Sequence, residues 1–290
     1  MERKEISVEI SPVCNLHCPN CNVSERLHIP NRRNDANLVG KLIEHTPINA
    51  HLSFVGLGET TIPESQGRIA RVLNQRKDLT GFIQTNGSYQ LNPNILNLVD
   101  SRRLEFGLST DYHHLLGGQK PHKIQPEYVF SIATSVENRD QILNYRKIFP
   151  RLNRILVSPM LDKEGVRVMS SWEHVEEMCH EFQKVLGKGV SVYSELPLLF
   201  RREENEEYFR DAEKALVKTK HLNWMASKKY GFYVDVELPD PSKDTRFLID
   251  GTYVTDVAHA LKNWKEVDKH SKPIESLPKV FDSQTKVYFN

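Results

Sequence analysis

Cysteine is scarce in this chain of 290 residues: there are four, and no cysteine follows Cys179. No apolar run approaches the roughly 20 residues that a membrane-spanning helix needs, and no apolar signal region precedes the first predicted strand. These absences predict a cytoplasmic protein with no membrane partner. A reducing compartment also suits free thiols, because a secreted chain tends to pair them as disulfides.

An excess of charge of one sign is missing as well. Lysine and arginine number 39 and aspartate and glutamate 38, so that the formal net charge is +1. Because binding to nucleic acid draws mostly on basic side chains that neutralise phosphates, this balance predicts no nucleic-acid partner. Low-complexity segments are absent too, and the length suits one large α/β domain or a medium domain with an extension.

Three of the four cysteines lie within eight residues, directly after a strand-like run at 5–10: Cys14, Cys18 and Cys21. Three thiolates on one short loop suit a [4Fe-4S] cluster. Its four irons usually take four cysteine ligands, so one iron would be left open to a small molecule. The other interpretation is a structural zinc site, in which His17 or His28 supplies the fourth ligand.

Short apolar runs alternate with helical patterns along the first half of the chain. Six runs are predicted to be strands: 6–10, 52–55, 82–84, 104–108, 129–133 and 155–157. Apolar residues at three- or four-residue spacing separate most of them, which predicts parallel strands joined by crossover helices. We expect helices to begin at Asn92-Pro93 and at Ser170, where Glu173 would complete a capping box.

The alternation weakens after about residue 188. A strand at 190–196, a helix at 203–218, a strand at 230–236 and a hairpin at 246–254 are expected there. The sequence thus predicts a core at 1–188 and an extension at 189–290 that covers the substrate. The connection at 110–127 is long and irregular, and we expect it to lie over the same site.

The Cys-x3-Cys-x2-Cys spacing after the first strand resembles the signature of the radical S-adenosylmethionine (radical SAM) superfamily. The resemblance covers about residues 5–160. It implies a partial (β/α)6 barrel, followed here by a C-terminal α+β extension, with functional residues at the carboxyl ends of the strands. It also implies that the three cysteines hold a [4Fe-4S] cluster, whose open iron is chelated by S-adenosylmethionine (SAM). Reductive cleavage of SAM would then give a 5′-deoxyadenosyl radical.

The resemblance continues at the ends of later strands. The segment 56–61 is similar to the family's Gly-Gly-Glu-Pro motif, with Thr60 at the proline position, and it implies a contact from Glu59 to the amino group of SAM. Thr85-Asn86-Gly87 and Ser109-Thr110-Asp111 are similar to the family's Thr-Asn-Gly and Ser-x-Asp. The SAM-binding residues so implied are Gly56, Gly58, Glu59, Thr85, Asn86, Ser109 and Asn138.

Several of these residues have a second interpretation. Asn138 can also cap the next helix, with Gln141 completing the box. Asp111 and His113 are the candidate catalytic residues, because they would face the substrate and pass a proton, although loop histidines are often only solvated. Cys179 lies on an apolar helical stripe, which predicts a buried core cysteine rather than a hydrogen donor.

The resulting hypothesis is a radical SAM enzyme that abstracts hydrogen from a small-molecule or peptide substrate. Dehydrogenation, epimerisation and rearrangement are the expected outcomes. Because no cysteine follows Cys179, an auxiliary cluster held by thiolates is not expected. A small metabolite is favoured over a precursor peptide, since the chain begins close to its first strand. Flavodoxin or ferredoxin is implied as the electron donor.

Two alternatives to this hypothesis stay open. The first is an activase for a glycyl-radical enzyme, which would need a protein-docking surface. The second is a non-catalytic module, in which the three cysteines bind zinc or an iron-sulfur cluster for structure or sensing.

Overall fold

The structure is a computed structural model. It describes residues 4–11, 13–16, 34–55, 58–110, 128–133, 154–159, 169–186, 191–195, 206–207, 210–211, 225–226, 233–235, 245–248, 250–255 and 271–280.

Parallel strands in sequence order form the middle of one sheet. The first six are β1 (Glu5–Val8), β2 (His51–Phe54), β3 (Thr80–Thr85), β4 (Leu104–Thr110), β5 (Tyr128–Ala133) and β6 (Arg154–Pro159). Each pairs in parallel with the next along the chain. All six predicted strands and their parallel arrangement are therefore confirmed, and with them the α/β class. The curvature of a partial barrel stays a prediction.

Strands from the C-terminal third extend both ends of this sheet. On one side lie β7 (Ser191–Glu195), then β9 (Tyr233–Asp235), then β8 (Met225–Ala226) at the edge. On the other side lie β10 (Thr245–Phe247), β11 (Thr252–Thr255) and β12 (Lys272–Pro273), in that order. β7 pairs in parallel with β6, and β10 pairs in parallel with β1. The predicted hairpin is confirmed, because β10 and β11 are antiparallel. A boundary at residue 188 and a substrate-covering role stay predictions.

Four longer α-helices in the described part of the chain accompany the strands; a 3-10 helix (Ile274–Ser276) and helical residues at 206–207 and 210–211 are described as well. The four longer helices are α1 (Leu38–His45), α2 (Pro63–Gln75), α3 (Pro93–Asp100) and α4 (Trp172–Leu186). The predicted start of α3 is confirmed, because the side chain of Asn92 accepts a hydrogen bond from the N–H of Ile95. The capping box predicted from Ser170 and Glu173 is wrong, because Ser171 is the capping residue and the third helical residue is His174. Ser171 directly precedes the first helical turn, and its Oγ accepts from the N–H of His174 at 3.1 Å.

The core lies between the strands and these helices. Inward side chains of β1 and β2, such as Val8 and Phe54, are fully buried. They belong to one apolar cluster with Leu42 of α1 and Ile69 of α2. Cys179 is fully buried on α4, so the predicted core cysteine is confirmed. This packing aligns the carboxyl ends of β1 to β4 along one edge.

Candidate functional site

The predicted site residues that the structure describes lie at the carboxyl ends of four adjacent strands. They are Cys14 after β1, Gly58 and Glu59 after β2, Thr85 and Asn86 at the end of β3, and Ser109 near the end of β4. The other predicted site residues lie outside the described residues: Cys18, Cys21, Gly56, Asp111, His113 and Asn138. Because β1 to β4 are parallel neighbours, residues far apart in sequence meet at this edge.

The loop after β2 is attached to the segment that carries Cys14. The N–H of Glu59 donates to the carbonyl oxygen of Val13 at 2.8 Å. Gly58 lies so close to this segment that an added Cβ would be 2.3 Å from the same oxygen and 2.7 Å from Oγ of Ser11. Glycine is therefore required at position 58 for the two loops to approach each other.

Glu59 joins the loop after β2 to the turn after β3. Its side chain is buried, and Oε2 accepts a hydrogen bond from the N–H of Asn86 at 2.8 Å. Oε1 accepts from the N–H of Thr61 at 2.8 Å and from the hydroxyl groups of Thr61 and Thr85. Both carboxylate oxygens thus engage protein donors. The contact between Glu59 and the amino group of SAM stays a prediction.

Thr60, which takes the place of a proline in the motif, adds a further connection. Its Oγ1 donates to the carbonyl oxygen of Gln84 at 2.6 Å. A hydrogen bond to β3 therefore restrains the loop at the position where the ring of a proline would restrict the backbone.

The segment Thr85-Asn86-Gly87 forms the expected turn. Gly87 has a positive φ of 74°, a conformation that glycine adopts without strain. Its N–H donates to Oγ1 of Thr85 at 3.0 Å, and Oδ1 of Asn86 accepts from the N–H of Ser88 at 3.0 Å. These local hydrogen bonds hold the turn in one conformation.

The side chain of Asn86 contacts the first cysteine of the motif. Its Nδ2 lies 3.8 Å from Sγ of Cys14 and 3.1 Å from Oδ1 of Asn15. Oγ of Ser88 lies 3.1 Å from the same Oδ1 and also contacts Oδ1 of Asn86, so its one hydrogen is shared between the two oxygens. The half-buried Cys14 is therefore held against the turn after β3, 72 residues further along the chain.

Ser109 lies at the same edge, one strand away. It is half-buried, and its Oγ accepts a hydrogen bond from Nε2 of Gln84 at 2.8 Å. This bond joins β4 to β3 beside the turn that contacts Cys14.

Sequence reasoning missed Gln66, a buried residue that braces the site. Gln66 of α2 donates from Nε2 to the carbonyl oxygens of Thr61 and Gln90, and its Oε1 accepts from the N–H of Asn92 at 2.7 Å. It also missed Thr61, Asn15 and Ser88. No local signal identifies Gln66, because two of its three partners are 24 or 26 residues away.

The donor set of the cysteine motif suits an iron-sulfur cluster. Within the part of the chain that the structure describes, no group of three or more His, Cys, Asp or Glu side chains is placed to hold a metal ion. Cys14 is the one described member of its motif. Its soft thiolate suits iron-sulfur or zinc coordination, and the amide N–H group directed at it suits a sulfur that carries negative charge.

Comparison with known proteins gives a fold relationship at low sequence identity. No family model and no curated protein matches this sequence. SuiB of Streptococcus suis, in a crystal structure with the precursor peptide SuiA, superposes with a TM-score of 0.50 at 11% identity, covering 98% of this chain and 68% of SuiB. A second SuiB structure, bound to S-adenosylmethionine, gives 0.48 at 11% identity, covering 91% of this chain and 65% of SuiB. This chain therefore spans about two thirds of the length of SuiB, and the likeness shows the fold.

Among the described residues, none of the helices combines the length and the apolar character needed to cross a membrane.

Proposed function

We propose that this chain is a radical SAM enzyme in which Cys14, Cys18 and Cys21 hold a [4Fe-4S] cluster that binds SAM and supplies the electron for its reductive cleavage. One observation carries the proposal. Asn86, from the segment similar to the family's Thr-Asn-Gly, contacts Cys14, from the segment similar to its cysteine motif. Two motifs that were recognised separately along the sequence thus meet at one edge of a parallel sheet.

The loops at this edge have distinct tasks in the proposed site. Gly58 and Glu59 support the cysteine segment through the backbone of Val13. Ser109, bonded to Gln84, lies one strand further and binds SAM in the proposal. Gly56, Thr85 and Asn138 complete the proposed SAM site. Asp111 and His113 face the substrate in this proposal and transfer a proton to or from it.

The sheet in this proposal curves into a partial (β/α)6 barrel, with the carboxyl ends of the strands around SAM. The strand order β1 to β6 supports this, because each strand lies beside its successor in the chain. The extension at 189–290 and the connection at 110–127 contribute to the substrate site.

The substrate is a small molecule or a peptide in this proposal. The fold neighbour SuiB binds the precursor peptide SuiA, so peptides belong among the substrates to test. Hydrogen abstraction leads to dehydrogenation, epimerisation or rearrangement. A flavodoxin or ferredoxin supplies electrons in the cytoplasm.

Anaerobic reconstitution tests the proposal. The purified chain is incubated with iron and sulfide, desalted, and then given dithionite and SAM, and 5′-deoxyadenosine is measured by mass spectrometry. We expect about four irons per chain. We also expect 5′-deoxyadenosine to form without added substrate, and in a larger amount when substrate is added.

Two cysteine variants serve as a matched pair in that experiment. Cys14→Ala should abolish both the cluster and 5′-deoxyadenosine. Cys179→Ala should retain both, because Cys179 is buried in the middle of α4 and lies outside the cysteine motif. A wild-type chain that binds zinc and forms no 5′-deoxyadenosine would overturn the proposal and favour the non-catalytic module.

A further inference from the structure

The amide group of Asn86 has one orientation that satisfies its neighbours. The backbone N–H of Ser88 can only donate, and it lies 3.0 Å from the side-chain oxygen of Asn86. The amide nitrogen must then be the atom on the side of Cys14, where it lies 3.8 Å from Sγ. A hydrogen-bond donor therefore faces the sulfur.

The NH2 group has a hydrogen for each of the two acceptors that the described residues place beside it. One is directed at Sγ of Cys14 and the other at Oδ1 of Asn15, 3.1 Å away. Since an amide nitrogen carries two hydrogens, these contacts do not compete. Asn86 can keep the donor on the sulfur while it also holds the residue next to Cys14.

The backbone of Asn86 is held from the other side. Its N–H donates to Oε2 of the buried Glu59 at 2.8 Å, and Thr85 donates its hydroxyl to Oε1 of the same carboxylate. These hydrogen bonds fix the backbone of the turn, so the side chain of Asn86 keeps one orientation. Supporting contacts of this kind orient metal ligands in other proteins.

We propose that Asn86 is a positioning residue that donates a hydrogen bond to Sγ of Cys14 and raises the reduction potential of the cluster. The inference rests on the proposed function, because it needs Cys14 to be a cluster ligand. Reduction adds negative charge that is shared by the ligand sulfurs, and an N–H directed at a sulfur stabilises that charge. Loss of the donor should therefore make the cluster harder to reduce.

Two substitutions at position 86 remove the hydrogen-bond donor to Cys14 while they keep the hydrogen bond that forms the turn. Asn86→Ser is neutral, and its hydroxyl can still accept from the N–H of Ser88, but it is too short to reach Sγ of Cys14. Asn86→Asp keeps the acceptor for Ser88 and replaces the donor with a negative charge. Asn74→Ser is the matched control, because Asn74 is exposed near the end of α2, at the opposite end of the sheet from the cysteines.

The experiment is an anaerobic redox titration of the reconstituted full-length chain without SAM, followed by absorbance and by electron paramagnetic resonance of the reduced cluster. Iron and sulfide content and circular dichroism are recorded for each variant. We expect a lower midpoint potential for Asn86→Ser, a still lower one for Asn86→Asp, and the wild-type value for Asn74→Ser.

The outcomes distinguish this inference from the proposed function. A wild-type chain that assembles no cluster overturns both. If the wild type holds a cluster and cleaves SAM, but Asn86→Ser has the wild-type potential, the inference is overturned and the proposed function stands. If Asn86→Ser is folded but retains no cluster, the tuning role is also overturned, because Asn86 would then be needed for assembly.

Discussion

The N–H of Glu59 donates to the carbonyl oxygen of Val13 at 2.8 Å, and this bond joins the loop after β2 to the segment that leads into Cys14. The contact depends on the neighbouring glycine, since a side chain at position 58 would overlap the same carbonyl oxygen. The loop after β2 thus supports the segment before Cys14 through backbone atoms, whereas the turn after β3 contacts Cys14 through the side chain of Asn86.

Gly58→Ala should separate these two loops. The new methyl group would lie 2.3 Å from the oxygen of Val13, so the backbone must shift, at a cost of about 1–3 kcal/mol. We expect a lower free energy of unfolding and a reduced iron content after reconstitution. Urea denaturation and iron analysis measure the two effects.

Gly67→Ala is the control for that substitution. Gly67 is exposed on α2, and an added Cβ would meet nothing within 4 Å. Alanine is favoured over glycine inside a helix, so this variant should gain roughly 0.5–1 kcal/mol and keep its iron. Equal behaviour of the two variants would show that the approach of Gly58 to Val13 is unimportant.

Glu59→Gln should destabilise the chain before any SAM is added. Glutamine has one acceptor oxygen where glutamate has two, so either Asn86 or the threonine donors would face an NH2 group. An unsatisfied buried donor costs about 1–3 kcal/mol. Thermal unfolding of the metal-free chain, followed by circular dichroism, measures the change.

Glu64→Gln provides the comparison for Glu59→Gln. Glu64 is exposed on α2 and pairs with Arg68 at 2.6 Å, and surface pairs of this kind contribute at most about 1 kcal/mol. Were Glu59→Gln as stable as Glu64→Gln but weaker in binding SAM, Glu59 would act on SAM directly rather than on the two loops.

Asp78→Asn should make the free energy of unfolding less dependent on pH in the acidic range. Burial raises the pKa of Asp78. Hydrogen bonds from Arg76 and from the backbone of Asn49, together with the charge of Arg76, lower this pKa by more, so that it lies below the ordinary value for aspartate. Arg76 is buried and donates to Oδ1 at 2.8 Å and to Oδ2 at 2.7 Å. We expect the substitution to cost about 2 kcal/mol near neutral pH.

The pH dependence of this cost follows from the direction of the shift. A carboxyl group whose pKa is lowered by folding contributes stability above its unfolded pKa, about 3.9, and loses it as the pH falls towards the lower folded value. The difference between wild type and Asp78→Asn should therefore shrink below about pH 4. Urea unfolding across this range measures it, and Asp100→Asn, at the exposed end of α3, is the control. A difference that is constant with pH would contradict the assignment.

Gly251→Ala should loosen the C-terminal hairpin from the first helix. Gly251 has a φ of 81°, and an added Cβ would lie 2.0 Å from Oδ2 of Asp35 and 2.7 Å from Nζ of Lys41. Lys41 pairs with Asp35 at 2.6 Å and with Glu275 at 2.7 Å, so the methyl group would disturb a whole charge cluster. We expect a loss of about 2 kcal/mol in the free energy of unfolding. A gain like that expected for Gly67→Ala would refute this.

Much of the fold could be predicted from local patterns. Runs such as 52–55 and 104–108 are apolar and bounded by turn residues, and both are strands in the sheet. Asn92-Pro93 starts α3 as expected, since capping involves only adjacent residues. The short range of capping interactions also explains the wrong prediction at Ser170. Two consecutive serines offer caps that are equivalent in sequence, and in the structure Ser171 is the one that accepts from the N–H of His174.

The sequence by itself determined the six central strands, their alternation with helices and the clustering of three thiols, because those features depend on neighbours along the chain. Only the tertiary structure decided that β10 lies beside β1, that Glu59 bonds to Asn86, and that Asn86 faces Cys14. Each of these pairs spans 27 residues or more, and sequence spacing carries no information about such contacts until the parallel strands bring their ends to one edge.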